Sequence, residues 1–158
     1  MVLWFVVVAP VIVAEVFQSQ RLDYRFVAFG ALFPVVSGLS EFGLVFHTLI
    51  IQLAILTIVM LVTIGKRLTR RRWLGLPIGG LLHLVLDGTW LNASTFWWPL
   101  FGADLSELVA NEVEYLNLMV LLDLVALVIG WWAIKRYGLT SRENRSVFIS
   151  TGQLPQLR

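Results

Sequence analysis

Apolar residues run along this chain in long blocks separated by short polar stretches. The clearest block is Phe42 to Gly65, FGLVFHTLIIQLAILTIVMLVTIG, which carries no formal charge and stops at Lys66 and Arg67. About 20 apolar residues suffice to cross a bilayer core as a helix, so this block predicts one crossing. Trp73 to Leu91 is of similar length but contains His83 and Asp87, and Val113 to Ile134 contains Glu114 and Asp123. Met1 to Phe17 is apolar apart from Glu15 and includes Pro10. It lacks the basic start and small-residue cleavage site of a secretory signal, which predicts a retained helix. Phe26 to Leu39 is interrupted by Gly30, Pro34 and Gly38, a pattern of a short kinked span or a re-entrant segment. The expected fold is an all-α integral membrane helical bundle of about five segments, four regular crossings and one short or re-entrant.

Composition agrees with that pattern. Of 158 residues, 58% are hydrophobic and 14% charged, against roughly 45–50% and about 25% in soluble domains. With a mean hydropathy of +0.82 there are too few polar side chains to coat a water-facing globule, so lipid must cover the rest. The absence of cysteine excludes disulfides, thiolate metal sites and a cysteine nucleophile.

All twelve basic residues fall in three places: Arg21 and Arg25, the run Lys66 to Arg72, and the stretch from Lys135 to Arg158. Basic residues near span ends are retained on the cytoplasmic side. Five segments put all three places on that side, with the N-terminus outside and the C-terminus cytoplasmic, in a bacterial cell membrane. Residues 1–134 then form the transmembrane domain and 135–158 a cytoplasmic polar tail, expected to lack a fixed fold. Trp4, Trp90, Trp97 and Trp98 would mark the outer boundary, and Trp73, Trp131 and Trp132 the inner one. The stretch STFWWPLFG, Ser94 to Gly102, is expected along the outer interface. KRLTRRRW reads as an inner-side stop signal able also to meet anionic lipid headgroups; membrane lipids, not nucleic acid, are the expected partners. No nucleophile elbow, Walker loop or dinucleotide fingerprint is present.

Ionisable groups within a bilayer are costly and mark candidate functional positions. Here they are Glu15, His47, His83, Asp87 and Asp123. Glu15 lies near the inner boundary, where it can snorkel to headgroups. His83 and Asp87, four residues apart, share one helix face, and His47 lies at a comparable depth in its own span. Two imidazoles and a carboxylate suit a divalent metal such as zinc with an open position for water, a set used against esters and phosphoesters. The same His and Asp can instead hydrogen-bond each other and a neighbouring helix without metal. Asp123 is open to three roles: catalytic proton relay, further ligand, or structural partner of a polar group such as Asn117.

GLLHLVLDGTW followed by FWWPLFG, Gly80 to Gly102, resembles the bacterial membrane-bound metal-dependent hydrolase-like family of the YdjM type. Its features are an H-x-x-x-D pair in one span and a Trp-Pro stretch after it, here His83, Asp87, Trp98 and Pro99. DYRFVAFGALFP, Asp23 to Pro34, resembles the family's "GALLPD" stretch, and FHTL, Phe46 to Leu49, its "THSLL" stretch. The chain differs in having Leu3-Trp4-Phe5 near the start and Val35 after Pro34, where the family commonly has His and Asp. The resemblance implies His47, His83 and Asp87 as metal ligands, with Asp23 a weaker candidate because the topology places it on the other side. It also implies hydrolysis, and a site facing the outer side, bordered by the aromatic stretch Phe96 to Phe101, makes a lipid-like ester or phosphoester the expected substrate class. The alternative is a non-enzymatic membrane protein, a transporter or assembly subunit, whose His and Asp form a hydrogen-bonded core.

Overall fold

A computed structural model describes residues 1–37, 41–100 and 116–154, and every regular element among them is helical, as expected. The first helix, α1 (Trp4–Phe17), opens with a π-helical turn over Trp4–Val8. The wider turn gives way to α geometry around Pro10, which cannot donate a backbone hydrogen bond. Helix α2 (Tyr24–Ser37) passes through Pro34. Of the two expectations for Phe26 to Leu39, the structure has the short helix, continuous as far as Ser37; residues 38–40 lie outside the described residues. Gly30 does not break α2 because it serves packing: a Cβ there would stand 2.0 Å from the Leu76 carbonyl oxygen.

The single crossing expected over Phe42 to Gly65 is divided. A 3-10 helix (Glu41–His47) leads into α3 (Leu49–Val62), and Thr48 between them is extended, with φ −103° and ψ 141°. Its hydroxyl accepts from the Ile51 N–H at 3.4 Å and donates to the Val45 carbonyl at 2.9 Å. A side chain that offers the backbone such local partners caps a new helix rather than prolonging an old one. After α4 (Arg67–Trp73) comes α5 (Gly75–Asp87), closed by Gly88 at φ 75°, the left-handed conformation that favours glycine at a helix end. A 3-10 turn (Thr89–Leu91), the short α6 (Ala93–Phe96) and α7 (Leu116–Arg136) follow.

The tail is the second correction. Instead of lacking a fold it forms α8 (Arg142–Thr151), capped by the Ser141 hydroxyl, which accepts from the Asn144 N–H at 3.3 Å. It folds back onto the start of α2: the Tyr24 N–H donates to the Gly152 carbonyl at 2.8 Å, and Arg25 donates to the Ile149 carbonyl at 2.5 Å. Leu154 is buried in the same core as Tyr24, Val27 and Tyr137. A polar composition hid one apolar anchor and two helix caps.

Helices α2 and α5 form the centre. A Cβ at Gly75 would stand 2.9 Å from the Asp23 carbonyl oxygen, and one at Gly79 would stand 2.1 Å from that of Val27. Residue numbers rise together along the contact, so the two helices are parallel. Parallel too are α1 and α7, where Trp4 meets Asp123, Val7 meets Gly130 and Glu15 meets Tyr137. Helix α3 is antiparallel to α5, with His47 beside His83 and Gln52 against Gly80. Just past the end of α7, burial first and the Glu15 carboxylate second push the Tyr137 hydroxyl above its ordinary pKa, which keeps it a donor to Glu15 at 2.9 Å.

Among the described residues one helix is long and apolar enough to cross a membrane: Asn117–Arg136, with mean hydropathy 2.0 and 11% of it buried. Helices α1, α2 and α3 are apolar but shorter.

Candidate metal centre

The three ligand candidates reach one place from two chain segments. His83 lies in the middle of α5 and is 1% exposed. Asp87, one turn on at the last residue of the same helix, is exposed. His47 ends the 3-10 helix and is fixed there by the Thr48 cap that follows. Thr48 thus contributes through the backbone rather than by bonding the imidazole. The nearest ligand atoms of His47, His83 and Asp87 all lie within 4.8 Å of one another, and the two imidazole centroids are 5.0 Å apart at 70°. Tetrahedral zinc with bonds of about 2.0–2.2 Å holds its ligand atoms roughly 3.3–3.5 Å apart. An ion would therefore draw this set inward by about 1 Å, within the reach of side-chain rotation.

Neither ring nitrogen of His83 makes a well-aligned hydrogen bond among the described residues, although both are buried; the Ala31 backbone of α2 lies beside the ring as a weak partner. Buried polar nitrogens are nearly always paired, because an unmade hydrogen bond costs about 1–3 kcal/mol. Asp87 does not make up the deficit: its carboxylate accepts instead from the Thr89 hydroxyl at 2.8 Å. His83 and Asp87 thus make no hydrogen bond to each other.

Comparison with family models, curated proteins and solved structures finds no match. The site is consequently read from its own geometry.

Three supports of the site escaped the sequence reading. Phe5 of α1 packs on His83 with ring centroids 4.1 Å apart. Gln52, 2% exposed, donates through Nε2 to the Phe46 carbonyl at 2.8 Å and so holds the backbone immediately before His47. Gly80 makes room for it, since a Cβ there would stand 2.2 Å from the Gln52 Oε1. The readable signal was Gly75-x-x-x-Gly79-Gly80 within an apolar segment, the small-residue spacing that lets helix backbones approach closely.

Asp123 is not one of the three converging residues. Its Oδ1 accepts from the Trp4 N–H at 3.0 Å and its Oδ2 pairs with the Met1 ammonium at 3.0 Å. Its partner is thus the first turn of α1, rather than Asn117. Asp23 is also apart from the centre, paired with Arg25 at 2.8 Å and Arg72 at 3.8 Å. Glu15 pairs with Arg136 at 3.7 Å. Glu114 lies outside the described residues, as do Asp104, Glu107 and Glu112 of the stretch between the last two apolar blocks.

Proposed function

We propose that this is a multi-pass membrane protein that holds one divalent ion, zinc by its ligand set, at His47, His83 and Asp87 and hydrolyses an ester or phosphoester of an amphiphile. The observation that carries the reading is the convergence of these three residues around a buried His83 whose two nitrogens make no well-aligned hydrogen bond among the described residues. The resemblance to the YdjM-type family points to the same residues.

The membrane part rests on surface and direction. Leu121, Leu124, Val128 and Trp131 of α7 are exposed, as are Phe29 and Phe33 of α2 and Ile58, Leu61 and Val62 of α3. Contiguous apolar surface on several helices is unusual for a protein in water and suits hydrocarbon. The parallel pairs, α2 with α5 and α1 with α7, are those that alternate crossing of five segments requires. Arg21, Arg71 and Arg72 also gather at one end of the bundle, as residues retained on the cytoplasmic side should. Reporters fused within 66–72 and within 92–100 should report opposite sides of the membrane; the same side for both would overturn this topology.

When bound, the ion supplies Lewis acidity and an activated water. The chain's own residues divide the remaining work. His83, packed beneath Phe5, forms the dry wall. Asp87, exposed and steadied by Thr89, faces the side from which a substrate's polar group arrives. Asp123 holds the turn that carries Phe5 and is a positioning residue. Elemental analysis of washed, full-length protein should find about one zinc per chain. Zinc-loaded protein should hydrolyse at least one member of a lipid panel, and Asp87→Asn should not. A folded wild type without metal removes the centre; metal with equal turnover by both proteins removes the mechanism and leaves a binding or transport role.

A further inference from the structure

At the other end of α5 from the histidines, a cavity of about 640 Å³ opens between the α1–α2 connection, α4 and the end of α8. Its wall carries Arg21, Arg71 and Arg72, the hydroxyl residues Ser150 and Thr151, and Asp23. The carboxylate does not neutralise the three cations. Asp23 is 1% exposed and already engaged by Arg25, which donates through Nε to Oδ1 at 3.0 Å and through Nη2 to Oδ2 at 2.8 Å. Arg72 stands 3.8 Å from it, while Arg21 and Arg71 have no ion pair among the described residues. Two guanidinium groups without an ion pair among the described residues and one weakly paired one thus share a concave site, beside two hydroxyls that donate to the Val147 carbonyl at 3.1 and 2.7 Å.

A second cavity of about 280 Å³ shares Leu68 and Arg72 with the first and is otherwise bounded by Phe26, Thr69 and Trp73. The two together offer a cationic chamber beside an apolar slot. Guanidinium forks match the planar spacing of phosphate oxygens and bind them with charge-assisted bonds. The slot gives an attached glycerol or acyl segment somewhere to lie.

We infer that this paired cavity binds a phosphate group, with an anionic phospholipid of the adjoining leaflet as the source that the apolar slot favours. The site needs the folded tail, because Ser150 and Thr151 reach it only through the docking of α8 against Asp23 and Tyr24. That docking is close: a Cβ at Gly152 would stand 1.7 Å from the Asp23 Oδ1. The inference is independent of the metal centre and borrows from the membrane reading only the source of the phosphate.

Full-length protein in detergent, examined by native mass spectrometry, tests it with three probes: phosphatidylglycerol, phosphatidylcholine and inorganic phosphate. Wild type should retain one phosphatidylglycerol at least about tenfold more tightly than phosphatidylcholine, the scale of one charge-assisted contact. Arg21→Gln with Arg71→Gln should lose that preference. Both side chains are exposed and outside the core, so the melting temperature should be unchanged, and Arg142→Gln with Arg145→Gln, which removes the same charge from exposed residues outside both cavities, should keep the preference. Tight retention of inorganic phosphate, abolished by the same pair, would assign the site to free phosphate instead of lipid. An unchanged preference in the double variant, or equal retention of both lipids by wild type, would overturn the proposal.

Discussion

Gly79→Ala should force α2 and α5 apart and lower the melting temperature by about 10 °C, or prevent the folded protein from accumulating. The added methyl would lie 2.1 Å from the Val27 carbonyl oxygen and 2.8 Å from the Ala31 nitrogen. Both obstacles are backbone, in the middle of a helix, so no rotamer change relieves them. Overpacking in a core costs about 1–3 kcal/mol where side chains can yield, and this contact exceeds that case. For a chain of this size each kcal/mol moves the midpoint by roughly 2–4 °C. Gly130→Ala is the comparison that gives the result meaning. Among the described residues its Cβ would meet only the Val7 side chain, at 3.3 Å, and its effect should stay within about 1 kcal/mol. Thermal unfolding in detergent, followed by tryptophan fluorescence, separates the two. Equal midpoints would show that α2 and α5 are not packed backbone to backbone.

His83→Ala should weaken zinc binding by more than about 100-fold. Loss of a group that merely orients a ligand costs 10–100-fold in affinity, and loss of a ligand must cost more. His47→Ala should behave alike, whereas Asp87→Asn, which keeps an oxygen at the same place, should lose about tenfold. His83→Gln preserves most of the buried volume and guards against a simple folding defect. A readout free of any substrate is the zinc-induced rise in melting temperature, which follows RT ln(1 + [L]/Kd). Zinc at 100 times Kd should stabilise the wild type by about 2.7 kcal/mol and leave both His83 variants unmoved. The same rise in wild type and His83→Ala would exclude His83 as a ligand.

The helical character of the chain was legible in its apolar blocks, and so were His47, His83 and Asp87. These residues stand out because a polar side chain within an apolar segment needs a reason. The four-residue step from His83 to Asp87 places both on one face by helix geometry alone. Nothing local could reveal that Phe5, seventy-eight positions before His83, closes over its ring, since contacts between distant segments depend on how helices pack. The division of one apolar block at Thr48 was equally hidden. A threonine is compatible with a helix interior or an N-cap, and what decides is whether its hydroxyl finds the Ile51 N–H and the Val45 carbonyl. Asp123 was visible as an anomaly but not its partner, because a carboxylate accepts from whichever N–H the fold presents, here that of Trp4. The tail misled by composition: α8 is held by two caps, by Leu154 and by hydrogen bonds to Tyr24 and Arg25, none of which hydropathy weighs. Apolar length and intrahelical spacing are properties of the chain, so the sequence alone determined that the apolar blocks are helical and that His83 and Asp87 share one face. The meeting of His47 with His83, the parallel seating of α2 on α5 at Gly30 and Gly79, and the basic cavity walled by α8 were decided by tertiary packing, where backbone proximity and the pairing of buried polar groups select one arrangement.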